Sequence, residues 1–288
     1  MKIDLHSHTH FSDGLLSPTE LIQRAHNMQL DVLAVTDHDT VAGITEALDY
    51  QRQQKRPLTI VPGIELSTAW HGFDIHILGL NIDIANQVFQ ERLTQQENAR
   101  RLRAEEIDRK LQKAGCENVL THAKKLAGKG QVTRAHFARA MVQKGDVSDF
   151  DSAFKKYLGK GKRAHVVPQW ISIETAVSWI HDSGGKAVLA HPSHYKLSAK
   201  WLRRLLVYFK SVGGDGMEVS HPHLSPDMRR QLASYAKEYQ LLASSGSDFH
   251  GPGRWTELGR HTQFDDSLLP IWQDWGIVDG WPSKEQNS

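Results

Sequence analysis

The chain has 288 residues, with 39% hydrophobic and 24% charged side chains, as is typical of a folded globular protein. Its formal net charge is only +2, so the overall charge does not by itself indicate a nucleic-acid partner. The single cysteine, Cys116, excludes an internal disulfide and a thiolate zinc site, and it favours the reducing cytoplasm. We expect no signal peptide, because the N-terminus from Met1 has no long apolar core and no cleavage motif, and no membrane span, because no apolar stretch reaches about 18 residues.

Short apolar runs alternate with helical segments along most of the chain, which predicts an α/β fold built from parallel βα units. Seven runs have the length and the flanking turn residues of buried strands: Ile3–Leu5, Val32–Val35, Leu58–Val61, Ile75–Leu80, Ala187–Ala190, Met217–Val219 and Leu241–Ala243. Seven strands favour closure into a barrel over an open sheet.

Helix starts are marked by capping residues between these runs. Ser17 is a favoured N-cap residue, Pro18 suits the first helical position, and Glu20 completes a capping box. Ser198 and Ser225 predict two further helix starts for the same reason.

Residues 87–163 interrupt the alternation of strands and helices. They contain three helix candidates and no clear strand: Gln87–Lys113, Asn118–Leu126 and Arg134–Gln143. We therefore expect a barrel formed by residues 1–86 and 164–288, with residues 87–163 as a helical insertion that caps the substrate site.

Six motifs place metal-binding types of side chain beside the apolar runs. They contribute His6, His8 and Asp13; His38; Glu65; His76; His191; and Asp248 with His250. The C-terminal ends of barrel strands meet at one mouth, so these side chains are predicted to converge, although His76 lies at the start of its run. Nine donors exceed the roughly four to six ligands of one ion, which indicates several metals and a phosphate-ester substrate.

The ordered motifs H-x-H…S-D-G, T-D-H-D, P-G-x-E, D-x-H, A-H-P and S-D-x-H resemble those of the PHP (polymerase and histidinol phosphatase) phosphoesterase superfamily. The resemblance implies a distorted (β/α)7 barrel with three divalent metal ions, which we expect to be Mn²⁺, with Zn²⁺, Fe²⁺ or Mg²⁺ as alternatives. The implied ligand sets are His6, His8, Glu65 and Asp248 for one ion, Glu65, His76 and His191 for the second, and Asp13, His38 and His250 for the third.

The chemistry expected of such a site is attack on phosphorus by a hydroxide held at the metals by Glu65, Asp248 and His191. Four neighbouring aspartates either orient the imidazole N–H groups or cap loops: Asp4, Asp37, Asp39 and Asp74.

Candidate substrate contacts lie outside the metal motifs. Arg134 is a candidate phosphate clamp because a guanidinium matches phosphate geometry, and a surface ion pair is its alternative. His194 is a second phosphate candidate. A basic run either tracks a nucleic-acid backbone with its aromatics stacking on bases, or forms a solvated face: Lys155, Lys156, Lys160, Lys162 and Arg163, interleaved with Phe154 and Tyr157.

The insertion motif T-R-x-H-F-A-R and the segment F-K-K-Y-L-G-K-G-K resemble the bacterial branch that contains 5′–3′ exoribonucleases and 3′,5′-nucleoside bisphosphate phosphatases. We expect an exoribonuclease that releases 5′-mononucleotides from short or 5′-phosphorylated RNA, with maturation of ribosomal RNA 5′ ends as a possible role. A bisphosphate 3′-phosphatase is the alternative. A histidinol-phosphate-type phosphatase and a non-catalytic nucleic-acid-binding protein are less favoured. The expected partners are RNA oligonucleotides or nucleoside bisphosphates and no membrane, while the oligomeric state is left open.

Overall fold

One strongly curved sheet organises the chain in the computed structural model, which describes residues 1–253 and 256–276. The last part of the expected barrel segment, residues 277–288, lies outside the described residues. The strand order is β1-β2-β3-β4-β6-β7-β8, and β5 pairs with β3. The strands are β1 Ile3–Asp4, β2 Val32–Val35, β3 Thr59–Trp70, β4 Phe73–Leu80, β5 Ile171–Ser172, β6 Lys186–Leu189, β7 Gly216–Ser220 and β8 Leu242–Ser245.

Backbone contacts between the two ends of the sheet nearly close it into a barrel. Leu5 N–H donates to the carbonyl of Ser245 at 3.0 Å, and His8 N–H donates to the carbonyl of Phe249 at 2.9 Å. The predicted barrel of seven strands is therefore confirmed, with the short β5 as an addition.

Helices pack around this sheet and form the region that interrupts it. Within the described residues they are α1 Pro18–Asn27, α2 Ile44–Arg52, α3 Gln87–Lys113, α4 Val119–Ala127, α5 Arg134–Gln143, α6 Phe150–Ala153, α7 Ile173–Asp182, α8 Ala199–Ser211 and α9 Pro226–Glu238. A π-helical turn covers Phe154–Leu158. Ser17, Ser198 and Ser225 each accept a backbone hydrogen bond at a helix start, as predicted. No helix among the described residues is long and apolar enough to span a membrane.

The prediction of an all-parallel sheet is wrong at β4. This strand runs antiparallel to both β3 and β6. Only His71 and Gly72 separate β3 from β4, and both have positive φ (47° and 76°), the backbone of a tight hairpin turn. A two-residue turn cannot hold the crossover helix that parallel pairing needs.

Side chains of the strands alternate between two apolar layers. On β2, Val32 and Ala34 join the cluster inside the barrel, while Leu33 and Val35 pack against the helices. Val61 of β3 belongs to the interior cluster, and Glu65 lies four residues further along on the same face. The interior row of β3 therefore changes from apolar to charged towards the mouth.

The helices of the interrupting region pack around a separate apolar cluster. Ile107 and Leu111 from α3 lie in it with Phe137 and Met141 from α5. The region contacts the loop after β1, where Gln131 N–H donates to the carbonyl of Phe11 at 2.9 Å. It therefore lies beside the barrel mouth on the β1 side.

Candidate metal centre

The nine candidate donors meet at one mouth of the barrel. Those that follow β1, β2, β6 and β8 reach it from the C-terminal ends of parallel strands. His76 reaches it from the first half of β4, because an antiparallel strand begins near the end at which its neighbours finish. The reversed direction of β4 thus explains the position of His76 in its run.

Glu65 lies at the centre of the donors and is fully buried. Its Oε1 lies 2.8 Å from Nδ1 of His76 and 2.9 Å from Nε2 of His191. Its Oε2 lies 2.9 Å from Nδ1 of His38 and 3.4 Å from Nε2 of His8. One carboxylate therefore faces imidazoles from four different segments.

Two aspartates occupy the outer part of the cluster. Oδ1 of Asp248 lies 3.3 Å from Nε2 of His6 and 3.2 Å from Nε2 of His8. Oδ1 of Asp13 lies 3.2 Å from Nε2 of His250. Four overlapping groups have ligand atoms within 4.8 Å of one another: His8, Asp13, His38 and His250; His6, His8 and Asp248; His6, Glu65 and His191; His38, Glu65 and His76.

These donors fit divalent cations. Several polar atoms of the cluster are buried without a hydrogen-bond partner among the described residues: His6 Nε2, His8 Nε2, Asp13 Oδ1, His38 Nδ1, Glu65 Oε2 and His191 Nδ1. Each such atom costs about 1–3 kcal/mol unless something satisfies it. Cations between the facing nitrogen and oxygen atoms would do so, and the mixture of imidazole and carboxylate suits Mn, Fe or Zn.

The electrostatics of the metal-free cluster keep Glu65 ionised but shift the pKa values of the imidazoles in opposite directions. Burial opposes the ionisation of Glu65, but the attraction of His38, His76 and His6 holds its pKa well below the ordinary value. Burial and repulsion from His250 lower the pKa of His8 to about 3, so this ring is neutral. His250 shows the opposite shift: although burial disfavours its charged form, Asp13 and Asp248 raise its pKa to about 10. Nearby carboxylates likewise raise the pKa values of His6, His38 and His191, so these rings must lose a proton before they bind metal.

Glu218 is a component of this centre that the sequence motifs do not include. It is fully buried on β7, and its Oε1 accepts a hydrogen bond from Nδ1 of His6 at 3.0 Å. Its Oε2 accepts from the backbone N–H of His191 at 2.5 Å. A carboxylate of this kind fixes the ring orientation of a metal-binding histidine. The only sequence signal is an acidic residue within a buried strand, M-E-V-S.

Three of the four neighbouring aspartates accept hydrogen bonds from backbone N–H groups, whereas Asp74 faces arginines. Asp4 accepts from the backbone N–H groups of Ser247 and Gly259, at 2.8 and 2.7 Å. Asp37 accepts from Thr9 N–H and Ser12 Oγ, Asp39 accepts from Ser67 N–H, and Asp74 faces arginines. None of them bonds to an imidazole within the described part of the chain, so they fix loops and basic side chains.

Arg134 belongs to a cluster of arginines beside this centre. Its Nη2 lies 3.7 Å from Oδ2 of Asp74, and Nη2 of Arg103 lies 3.8 Å from the same oxygen. The guanidinium groups of Arg100 and Arg103 each lie 5.1 Å from the ring centre of Trp170. Burial and repulsion from Arg134 lower the pKa of Arg103 to about 9. Two guanidiniums therefore share one distant carboxylate, in a place that would accept a further anion.

His194 lies at the rim of the mouth, with its ring stacked on that of His191 at 5.1 Å. Burial and repulsion from His191 and His221 lower its pKa to about 4, so it is neutral near pH 7.

The basic side chains of the run are exposed, while its two aromatic residues are partly buried. Phe154 and Tyr157 pack against the apolar cluster of the helical region. Lys160 instead contacts the β3–β4 turn, where its Nζ donates to the carbonyl of Gly72 at 2.9 Å. Stacking of these aromatics on bases stays a prediction, since part of each ring is used in packing on this cluster and part is exposed.

The barrel fold and the clustered metal-binding side chains define a class of metal-dependent hydrolase, and sequence comparison independently identifies the family. The family model of the PHP domain matches residues 4–167. The chain belongs to the PHP domain family, as the motifs predicted.

Individual relatives match almost the whole chain. The 5′-3′ exoribonuclease Rnm of Escherichia coli is 48% identical over 272 residues, which cover 94% of this chain and 93% of that protein. A 3′,5′-nucleoside bisphosphate phosphatase of Chromobacterium violaceum is 39% identical over 270 residues, or 93% of each chain. The solved structure of an amidohydrolase from Chromobacterium violaceum, with bound sulfate and no metal, has a TM-score of 0.88 at 38% identity and covers 94% of this chain and 95% of its own.

Proposed function

We propose that this protein is a metal-dependent 5′–3′ exoribonuclease that releases 5′-mononucleotides from 5′-phosphorylated RNA. The main observation in support of the proposal is a cluster of nine potential metal-binding side chains next to two arginines that share one carboxylate. The similarity to exoribonuclease Rnm over nearly the whole chain supports the same activity. Maturation of ribosomal RNA 5′ ends is a biological role that such an activity would serve.

The proposed site holds three divalent ions, with Mn²⁺ as the preferred metal. Glu65 would contribute to the first and second ions, consistent with the different imidazoles that face its two oxygens. The full proposed sets are His6, His8, Glu65 and Asp248; Glu65, His76 and His191; and Asp13, His38 and His250. When bound, the ions supply an activated hydroxide near neutral pH and neutralise charge on the phosphate.

The arginine pair is proposed to hold the 5′-terminal phosphate. Asp74, which faces Arg103 and Arg134, lies two residues before His76 on β4. At about 3.3 Å per residue, the two Cα positions are roughly 7 Å apart on one face of the strand. A nucleotide with its 5′-phosphate at the arginines would therefore present its 3′-phosphate to the donor cluster.

This placement determines which phosphate is attacked. For release of a 5′-mononucleotide, attack on that phosphorus would break its bond to the 3′ oxygen of the first nucleotide, which takes up a proton as it leaves. The phosphate remains on the 5′ oxygen of the next nucleotide, which then has the 5′-phosphate that the arginines bind. His194, neutral and stacked on His191, would donate an N–H hydrogen bond to the reacting phosphate.

We also propose that residues 87–163 form a helical cap on a barrel made of residues 1–86 and 164–288. Its separate apolar cluster supports this division. Arg103 and Arg134 would then belong to the cap and Asp74 and His76 to the barrel, with the substrate between them. A cytoplasmic location is proposed from the cysteine content, since Cys116 is a buried free thiol.

The second candidate function is removal of the 3′-phosphate from nucleoside 3′,5′-bisphosphates. The 39% identity to a phosphatase of these compounds favours it. The same geometry would then release inorganic phosphate from the 3′ position. A histidinol-phosphate-type activity and a non-catalytic nucleic-acid-binding role have no comparable support.

A direct test offers the Mn²⁺-loaded protein a 5′-phosphorylated RNA pentamer, its 5′-hydroxyl form and adenosine 3′,5′-bisphosphate. We expect mononucleotides from the phosphorylated RNA, and their loss in His191→Ala. Arg134→Ala should raise KM for the phosphorylated RNA about 10- to 100-fold, from about 1.5–3 kcal/mol for hydrogen bonds to a charged group. Arg101→Ala, which removes an exposed arginine of α3, is the matched control.

Phosphate release from the bisphosphate without any RNA cleavage would select the phosphatase instead. Binding of RNA without turnover under any of Mn²⁺, Zn²⁺, Fe²⁺ or Mg²⁺ would favour the non-catalytic role.

A further inference from the structure

A second cavity, of about 720 Å³, lies between helix α9 and the segment of residues 260–265. Its volume falls within the range of about 300–1,000 Å³ that is usual for ligand pockets. Its lining includes His223, Arg229, Arg230, Arg260, His261 and Phe264. None of these residues belongs to the metal motifs or to the arginine cluster.

The lining is strongly basic and contains an aromatic ring. Three arginines and two histidines face it, against one carboxylate, Asp265. Nε of Arg229 is buried without a hydrogen-bond partner among the described residues. Arg230 pairs with Asp227 on its own helix, and its side chain remains 73% exposed. The cavity therefore has the chemistry of an anion site with room for a flat ring against Phe264.

A continuous series of contacts joins this cavity to the metal centre. The ring of His194 stacks on His191 at 5.1 Å and meets the ring of His221 edge-on at 4.6 Å. His221 directly follows β7, and Ser220 Oγ at the end of that strand donates to the carbonyl of His261 at 2.7 Å. His261 lines the cavity. The path thus leads from the reacting phosphate across the β6–β7 side of the mouth.

The helical region lies on the other side of the mouth. Gln131 contacts Phe11 and the carbonyl of Asp39, in the loops after β1 and β2, and Arg139 donates to the carbonyl of Asp13 at 2.9 Å. The arginine pair belongs to the same helical region and contacts β4 at Asp74. An RNA held there by its 5′ end would continue towards β6, β7 and the second cavity.

We propose that the cavity between α9 and residues 260–265 binds the single-stranded RNA that follows the scissile phosphate. Guanidiniums would bind backbone phosphates and Phe264 would stack on a base, the usual combination in single-strand recognition. This inference rests on the proposed exoribonuclease function, and it explains how one metal centre would prefer oligonucleotides to mononucleotides. A nucleoside bisphosphate with its 5′-phosphate at the arginine pair would end with its 3′-phosphate at the donor cluster, and it has no downstream nucleotide to place in this cavity.

The test compares Arg229→Gln/Arg230→Gln with Arg203→Gln/Arg204→Gln, which removes the same two charges from neighbouring helix α8. Both are assayed on a 5′-phosphorylated RNA decamer, on a 5′-phosphorylated dinucleotide and on adenosine 3′,5′-bisphosphate. We expect the α9 variant to raise KM for the decamer about tenfold or more, with the two short substrates unchanged. The slope of log affinity against log salt for the decamer should fall by about 1.4, at about 0.7 for each lost phosphate contact. The α8 variant should resemble the wild type.

An unchanged KM for the decamer in the α9 variant would overturn this inference while the wild-type activity still supports the exoribonuclease. Absence of RNA cleavage by the wild type would instead contradict the proposed function itself. Crosslinking with 4-thiouridine in the 3′ half of the decamer provides a readout that does not depend on the variants. Crosslinks within residues 223–233 or 260–265 are expected, and crosslinks confined to other segments would overturn the site.

Discussion

Glu218 holds two ligand segments of the metal centre at once, so replacing it with glutamine should weaken metal binding without changing the side-chain volume. The carboxylate accepts from Nδ1 of His6 at 3.0 Å and from the backbone N–H of His191 at 2.5 Å. A glutamine has one acceptor oxygen. Whichever way its amide turns, an NH₂ group faces one of the two donors.

The magnitude follows from the burial of this contact. Glu218 and the side chain of His6 have no exposed surface, so water cannot replace the lost acceptor. Losing a hydrogen bond to a charged group costs about 1.5–3 kcal/mol. If this free-energy cost destabilises the metal-bound state, the affinity for Mn²⁺ drops roughly 10- to 100-fold. That is the range found for residues that orient metal ligands.

The assay is a titration of the metal-free protein with Mn²⁺, for Glu218→Gln and for Glu91→Gln, an exposed carboxylate on α3. Thermal unfolding is recorded with and without metal. A Kd within about twofold of the wild type, with an unchanged metal-induced rise in Tm, would refute the argument that Glu218 positions His6 and His191.

Three other predictions follow from the same region. Gly246→Ala should abolish metal binding, because an added Cβ would lie 2.2 Å from Cβ of His6 and 2.6 Å from the backbone N of His6. Retention of wild-type Mn²⁺ affinity in this variant would contradict the prediction. Metal affinity should increase with pH between about pH 6 and 8, roughly tenfold per unit for each proton released, because His250 has a pKa of about 10 in the metal-free protein and must lose its proton to bind. Calorimetry in buffers of different ionisation enthalpy counts these protons, and zero release would be inconsistent with ligation by His250. Asp4→Ala should destabilise the fold by about 1–3 kcal/mol, since it removes the acceptor for the buried N–H group of Ser247 and for the partly buried N–H group of Gly259. Denaturant unfolding measures the difference from Asp49→Ala, which removes an exposed aspartate.

The helices were the part of the fold that sequence predicted best. Gln87–Lys113 and Arg134–Gln143 have the predicted boundaries, and Ser17 forms the predicted capping box with Glu20. Capping depends on residues within one turn of each other, so the signal is local. The extension of β3 to Trp70 was not predicted, because the apolar run that marked the strand stopped at Val61.

The donors of the candidate site were also accessible from the sequence, since their side-chain types are specific and their motifs have a fixed order. Their assignment to individual metal ions stays a prediction. Glu218 was missed because one acidic residue in a buried strand has no motif of its own. The arginine pair was half found: Arg134 stands in a recognisable segment, whereas Arg103 is one of several basic residues along α3.

The kinds of donor atom, the family and the boundaries of most helices could be inferred from sequence, because each depends on short motifs or on residues close together in the chain. The antiparallel direction of β4, which brings His76 to the mouth, became visible in the folded chain, as did the approach of Arg103 and Arg134 to the same oxygen of Asp74. The tertiary structure also joined His6 to Glu218, which are 212 residues apart. Contacts of this kind depend on how the barrel closes and on the direction of each strand, and no short stretch of sequence encodes either.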